Sequence, residues 1–498
     1  MKKPMALFMS IILFTSIACA GSSKVMENTP VPDPSETSPA PTNLELPTPA
    51  PTLQPTQQNQ QISYDKSQIR RMWAVEATTD LISSEPEMAI GSPDVEECGD
   101  SFHSWHDLFP QEDYSEYFLN LKYPYPLNAI EINVAIGGNS EGSMRVEVLN
   151  SSSGLGKEVY NGDVKAMGNC PYTFTLPLDG SIPVDTVIIT INNQEYPLQI
   201  DAVELVGVLE GYTELPVFWR IPIPSDPISD PDHQFPGGIA VDPIDTTLFL
   251  ANGTKGLYRY DVEGNLLKTY SVPNVSNLTD VAVDRFGSFV VTDNAYKWFI
   301  TLQFDGFQIN AGGEDFAWNY PKEVAISPFD GNIYLLDETE KVSRIRVYTS
   351  DTAEWIRDIF LESKGIDGYK GLAFDPNAIL YTVDAYESIV QQIDPLSGSV
   401  IDELGYQSLA GGTSISDLAI DDSGNIYILM ATSPDDSAVY VLDPSGNLIQ
   451  RFGKLNYDGS EWGEGIFQLP VGIAVSGDGR FVFILENGFL TAYRIEQE

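Results

Sequence analysis

Three cysteines and three histidines in 498 residues leave few soft ligands for a metal. Only one histidine, His233, falls within residues 210–498, so a histidine-built metal centre has no material there. Basic residues are scarce as well. Lys and Arg number 27 against 71 Asp and Glu, a formal charge of −44. Such a chain repels phosphate backbones and anionic lipid surfaces, which disfavours nucleic acid as a partner and leaves cations, neutral glycans or a basic protein. Long apolar runs are missing too. The longest, Ala6 to Ile17, is about a dozen residues, whereas a spanning helix needs about 20. Residues 210–498 hold no Gly-x-Ser-x-Gly elbow, and no His-Glu-x-x-His pair or phosphate loop occurs in the chain.

The short apolar run has a different use. Met1-Lys2-Lys3 is a basic start, and the pair reads as an export signal over residues 1–20. Ser16-Ile17-Ala18-Cys19 resembles a bacterial lipobox, in which Cys19 takes the lipid and becomes the new N-terminus. Ala18-Cys19-Ala20 also fits ordinary signal peptidase, so both processing routes stay open. Residues 21–61 follow, rich in Pro, Thr and Gln, as in Pro47-Thr48-Pro49-Ala50-Pro51-Thr52. They cannot bury a core. Proline favours an extended polyproline helix of about 3.1 Å per residue, so the segment reads as a tether reaching on the order of 100 Å. The expected location is the extracytoplasmic side of a membrane, by a lipid anchor.

Residues 62–209 alternate apolar and polar residues, as in Ile130-Glu131-Ile132-Asn133-Val134 and Met144-Arg145-Val146-Glu147-Val148. No helical period competes, so this segment is expected to be a β-sandwich. Cys98 and Cys170 both lie in it, and in an exported protein they read as a disulfide; two free thiols are the alternative. Gly91-Ser92-Pro93-Asp94-Val95, Cys98-Gly99-Asp100, Trp105, Cys170-Pro171-Tyr172 and Ile200-Asp201-Ala202-Val203-Glu204 resemble the discoidin-like jelly rolls of bacterial exported proteins. That resemblance implies adhesion or carbohydrate binding. It also implies a structural calcium, held here by Asp94, Asp100 and Glu204; the alternative is that these acids are solvated or cap turns. Phe109 and Tyr114, in an aromatic loop, are the candidate glycan contacts, and Trp105 is assigned to the core rather than to a sugar platform.

The rest of the chain is dominated by one phrase repeated six times. Its copies are Gly238-Ile239-Ala240-Val241-Asp242, Asp280-Val281-Ala282-Val283-Asp284, Glu323-Val324-Ala325-Ile326-Ser327, Gly371-Leu372-Ala373-Phe374-Asp375, Asp417-Leu418-Ala419-Ile420-Asp421 and Gly472-Ile473-Ala474-Val475-Ser476. Steps of 42 to 55 residues between the alanines, with several short strands in each, predict a six-bladed β-propeller over residues 210–498. The chain is therefore expected to be all-β. The last copy has residues for only three strands. Val217-Phe218-Trp219-Arg220-Ile221, ahead of the first copy, is expected to supply the fourth and close the ring.

Phe452-Gly453, Gly459, Gly463, Gly465, Phe467, Pro470 and Gly472-Ile473-Ala474-Val475 resemble the NHL family of six-bladed propellers. Related propellers include metal-dependent lactonases and esterases, whose channel ligands often immediately precede the repeated phrase. The matching residues here are Gly237, Thr279, Lys322, Lys370, Ser416 and Val471, none a carboxylate or amide. Two other sets are candidates. Asn252, Asp293, Asp337, Asp384 and Glu486 follow the second strand of their repeats and either ring a channel mouth or end the strand with side-chain turns. Asp280, Glu323 and Asp417 begin the phrase in repeats two, three and five; they are an alternative metal cage or acceptors for turn amides. The functional expectation is a non-enzymatic binding protein for a glycan or protein. A hydrolase with an atypical channel site and a protein-binding sensor or assembly scaffold are the alternatives.

Overall fold

The computed structural model describes residues 68–496 apart from 81–84, 96–103, 106–115, 139–141, 166–169, 193–197, 224–236, 254–255, 273–275, 313–320, 363–367, 406–413, 434, 457–464 and 487. Cys19, the signal and tether segments, Cys98, Asp100, Phe109 and Tyr114 lie outside the described residues. Among those described, the secondary structure is almost entirely β.

Eight strands form the first sheet: β1 (Ile69–Trp73), β2 (Glu76–Thr79), β3 (Glu116–Ile136), β4 (Gly142–Leu149), β5 (Gly156–Val164), β6 (Tyr172–Pro177), β7 (Pro183–Asn192) and β8 (Ile200–Val208). The order is β1-β8-β3-β7-β4-β5, with β2 and β6 also on β3. β3 is long enough to serve two layers. Its first part pairs β2 and β7, and its second part pairs β6 and β8. The ladder to β7 breaks between Lys122 and Leu127, where Pro124 and Pro126 withdraw two amide donors. The core between the layers includes Leu119, Leu121, Val134, Val146, Ile189 and Leu205. Trp105 is fully buried there and bridges Ile200, as expected for a core residue.

Six further sheets of four or five antiparallel strands follow, one for each repeat. The inner strands are Ile239–Val241, Leu278–Val283, Pro321–Ile326, Tyr369–Phe374, Ser414–Ile420 and Pro470–Val475, which carry the repeated phrase. In blade five a short strand, Ile466–Phe467, adds in parallel to Leu448–Leu455. Core clusters form between blades rather than within them: Phe249 of blade one packs with Phe289 of blade two, and Phe299 of blade two with Tyr348 of blade three. Each sheet is thus covered on both faces, so its first two strands are almost wholly apolar. The ring closes as the sequence requires. Val217–Pro222 pairs with Phe489–Arg494 as the outer strand of blade six. Trp219 of that strand lies 5.9 Å from the Phe483 ring, centre to centre, and donates its indole N–H to Val262 O of blade one at 2.7 Å.

Sandwich and propeller belong to one compact unit, residues 63–498. Their junction is bonded through the backbone. Arg451 N, in blade five, donates to Gly211 O at 2.7 Å, and Thr213 N donates to Arg451 O at 2.9 Å. Arg70 of β1 stacks 4.4 Å from the centre of the Tyr212 ring.

Candidate ligand site in the central channel

The six inner strands enclose a cavity of about 470 Å³ along the propeller axis. Its wall is apolar. Val241, Val283, Ile326, Phe374 and Ile420, the fourth residues of the phrase, are half-buried there and in contact with the cavity. Asp280, Glu323 and Asp417, which open the phrase in their strands, lie toward one end. The turns between first and second strands lie at the other, about four residues or ~13 Å along the strand.

The carboxylates are used in a specific way. Asp280 accepts Val281 N and, across the blade boundary, Val324 N, both at 2.7 Å. Asp417 repeats this between blades five and six, accepting Leu418 N at 2.7 Å and Ile473 N at 2.9 Å. The residue before each acid completes a clamp. Thr279 Oγ1 donates to Pro321 O at 3.3 Å, and Ser416 Oγ to Pro470 O at 2.7 Å. In blade three Lys322 Nζ reaches Tyr369 O at 3.3 Å and also pairs with Glu338 at 3.2 Å. At the positions where the lactonase resemblance puts metal ligands, these three side chains bond the carbonyl that opens the next blade. Glycines make room for the clamps. A Cβ on Gly238 would come within 1.6 Å of Asp280 Oδ1, and one on Gly371 within 2.8 Å of Asp417 Oδ1.

Burial raises the Asp280 and Asp417 carboxyls well above the ordinary range, and the neighbouring Glu323 raises both further. Glu323 is raised by burial, with Lys322, Lys370 and a hydrogen bond to Asp280 pulling it back down. The three acids therefore share one electrostatic environment. Among the described residues, no group of three or more His, Cys, Asp or Glu is disposed to hold a metal.

The strand-ending set is placed elsewhere. Asn252, Asp293, Asp337, Asp384 and Glu486 are all buried, and none borders the cavity. Asp293 caps its turn by accepting Ala295 N and Tyr296 N at 2.9 Å, and Asp384 does the same for Tyr386 N and Glu387 N at 3.1 and 3.0 Å. Asp337 pairs with Arg344 at 2.9 Å and Arg346 at 3.1 Å. Glu486 pairs with Arg220 of the closing strand at 2.5 Å. Their geometry is that of strand-ending turns and buried ion pairs.

Sequence reasoning passed over Asp435 and Arg451. Their buried pair in blade five also takes in Ser433, Ser437 and Tyr440. A longer second strand, Ile426–Thr432, moves this acid out of step with the other blades, which is why the repeat did not expose it.

In the sandwich, Glu204 Oε2 receives Arg71 and Asn133, each at 2.9 Å. Asp94 lies instead against Asp201, which accepts Asp94 N at 3.2 Å and Val95 N at 3.3 Å. Asp94 and Glu204 are therefore not brought together: the neighbour of Asp94 stands three residues earlier on the same strand. Cys170 is disulfide-bonded, with its expected partner Cys98 outside the described residues.

Residues 68–213 match the family described as Pappalysin-1, SD scarf domain, C-terminal, over the segment that in sequence resembles a discoidin-like domain. No curated protein matches the chain. Solved structures similar to it include a gluconolactonase from Xanthomonas campestris, at 14% identity over 56% of this chain and 98% of that one, TM-score 0.40. A streptogramin B lyase structure is similar at 13% identity over 56% and 98%, TM-score 0.42. A nidogen/laminin complex is similar at 18% identity over 44% and 79%, TM-score 0.37.

Proposed function

We propose that this is an exported, lipid-anchored binding protein that carries a β-sandwich and a β-propeller on a proline-rich tether and acts without catalysis. The observation that carries this reading is the pair of clamps, Thr279-Asp280 and Ser416-Asp417. Both oxygens of each aspartate accept backbone amides, and the residue before it holds the next blade's carbonyl. The carboxylate oxygens of Asp280 and Asp417 are spent on closing the ring, and apolar side chains such as Val283 and Phe374 line the wall beyond them. A cavity of this size, with apolar walls and polar ends, suits capture of a small group with both an apolar and a polar part. Anchoring rests on Cys19 and the tether, and the Cys98–Cys170 bridge and glycan contacts at Phe109 and Tyr114 belong to the same reading of an extracytoplasmic protein.

The test is elemental analysis of the purified protein, followed by lactone and ester hydrolysis with calcium, zinc or manganese. The expected result is no stoichiometric divalent ion and no turnover. One tightly held ion per chain, with turnover, would overturn the reading.

A hydrolase remains the second reading because Asp280, Glu323 and Asp417 border one cavity and burial raises all three carboxyls. A carboxyl that burial makes a weaker acid is suited to general acid catalysis. It requires turnover that disappears in Glu323→Gln while the fold persists.

A further inference from the structure

At the end of the channel away from the three acids, one structural position is repeated six times with two different chemistries. In blades one to five the turn after the inner strand is held by the last residue of the phrase, through a side-chain oxygen that accepts the amide two residues on. Asp242 holds Ile244 N at 2.9 Å, Asp284 holds Phe286 N at 2.6 Å, and Ser327 holds Phe329 N at 3.4 Å. Asp375 holds Asn377 N and Asp421 holds Ser423 N, both at 2.9 Å. In blade six the same place is taken by Asp478, bonded to Ser476 Oγ at 2.7 Å. Read around the ring, the turn tips are Ile, Phe, Phe, then Asn, Ser, Asp.

The turn itself does not call for an apolar tip, since polar residues fill it in blades four to six. Yet Ile244, Phe286 and Phe329 stand 69%, 73% and 84% exposed on three consecutive blades. Phe286 borders the cavity, as do Pro243 and Pro328, which precede the other two tips. The exposed apolar arc therefore continues into the apolar channel wall. Adjacent exposed apolar groups beside a concave apolar site mark an interaction surface rather than scattered surface hydrophobes. Prolines and side-chain caps fix these tips in advance, which lowers the entropy lost when they are covered. The opposite arc carries the exposed Asp422 on the cavity rim, while Asp478 is paired with Arg480 at 2.6 Å.

We propose that this mouth docks a partner polypeptide segment, with an aromatic or long aliphatic side chain set against Ile244, Phe286 and Phe329 and a basic side chain facing Asp422. The proposal rests on the binding-protein reading and names its partner class. A second copy of the chain is the poorer occupant: two molecules of charge −44 repel, and a two-fold pairing brings acidic arcs close to one another. An anionic membrane is disfavoured for the same reason.

The test probes the full chain with an array of immobilised random twelve-residue peptides, then measures the strongest by fluorescence polarisation. The expected peptides carry an aromatic or long aliphatic residue within a few positions of Arg or Lys. Phe286→Ser with Phe329→Ser should weaken them by about tenfold or more, and Asp422→Lys by several-fold with loss of salt sensitivity. These tips are solvent-exposed, and an unchanged melting transition confirms that the fold is intact. No enriched peptide, enrichment of acidic peptides, or affinity indifferent to the Phe variants overturns the proposal. So does a dimer in sedimentation that dissociates in the Phe variants, or binding to phosphatidylcholine vesicles lost in them. Hydrolytic turnover would sink the binding reading alone; a catalytically silent protein that ignores every peptide would sink only this docking surface.

Discussion

The sandwich and the propeller both bury acids, and they satisfy them differently. Glu204 in the sandwich meets side chains, Arg71 and Asn133, and Arg71 is itself well exposed. In the propeller Asp280 and Asp417 meet backbone amides of the following blade, and Glu338 accepts Tyr369 N of blade four at 3.1 Å. A repeated architecture brings equivalent amides to successive blade boundaries, as with Val324 N and Ile473 N, so an acid at one position of the repeat becomes a joint. A single folded sheet has no such recurring boundary, and its buried acids each serve one site: Glu204 meets Arg71 and Asn133, and Asp201 takes the amides of Asp94 and Val95.

The sharpest way to break this contrast is to open the ring. Deleting residues 217–222 removes the outer strand of blade six and exposes a sheet edge together with its apolar contacts. The whole propeller should lose its cooperative transition in calorimetry while the sandwich keeps its own. A propeller transition left in place would mean that the closing strand is dispensable.

Arg→Met made once in each domain gives the next largest difference. Arg451 and Asp435 are both buried, so Arg451→Met leaves an uncompensated charge and should cost about 3–5 kcal/mol. Arg71→Met opens a pair that water reaches and should cost about 1 kcal/mol or less. Equal losses in urea denaturation would erase the distinction between the two domains.

Gly238→Ala tests the clamp directly. The new Cβ lands on Asp280 Oδ1, which is itself held by an amide, and the expected loss is about 1–3 kcal/mol. Adding Asp280→Ala should relieve the clash, so the double variant should be more stable than the sum of the two single losses. Strict additivity would show that the carboxylate does not sit where the clamp requires.

The smallest effect is electrostatic. Asp280 and Asp417 have raised carboxyls, so their contribution to stability is fully present below the ordinary carboxyl value of about 4 and is lost as pH rises through the raised folded value. Asp280→Asn with Asp417→Asn should flatten this part of the profile, and the protonated-carboxyl infrared band above pH 5 should shrink. A band unchanged in the double variant would remove these residues as its source.

Much of the propeller was legible because its signal recurs. Six alanines in register fixed the inner strands, and a last repeat one strand short pointed to Val217–Pro222. Asp280, Glu323 and Asp417 were visible as variants of one position, and the structure does bring them to one cavity. Their bonding was not legible, because Val324 N and Ile473 N come within reach only through the packing of neighbouring blades. The pairings of Asp337 with Arg344 and of Glu486 with Arg220 were hidden for a similar reason: the repeat marks where a strand ends, not which side chain crosses to meet it. In the sandwich a strand position off by three residues replaced Asp201 with Glu204, since the sequence alone does not tell which residue of β8 faces the Asp94 loop.

The closing strand has a mechanical consequence. The linker leaving the sandwich enters the propeller at Val217, as the outermost strand of blade six, and just before that its backbone is stitched to Arg451 of blade five. A pull arriving through the sandwich is therefore met by two adjacent blades in turn. The Gly211–Thr213 stitch must give before the load reaches the ladder between Val217–Pro222 and Phe489–Arg494, which resists along its full length. A propeller held in this way would tolerate drag on its mounting and yield first at the junction, leaving the ring itself intact.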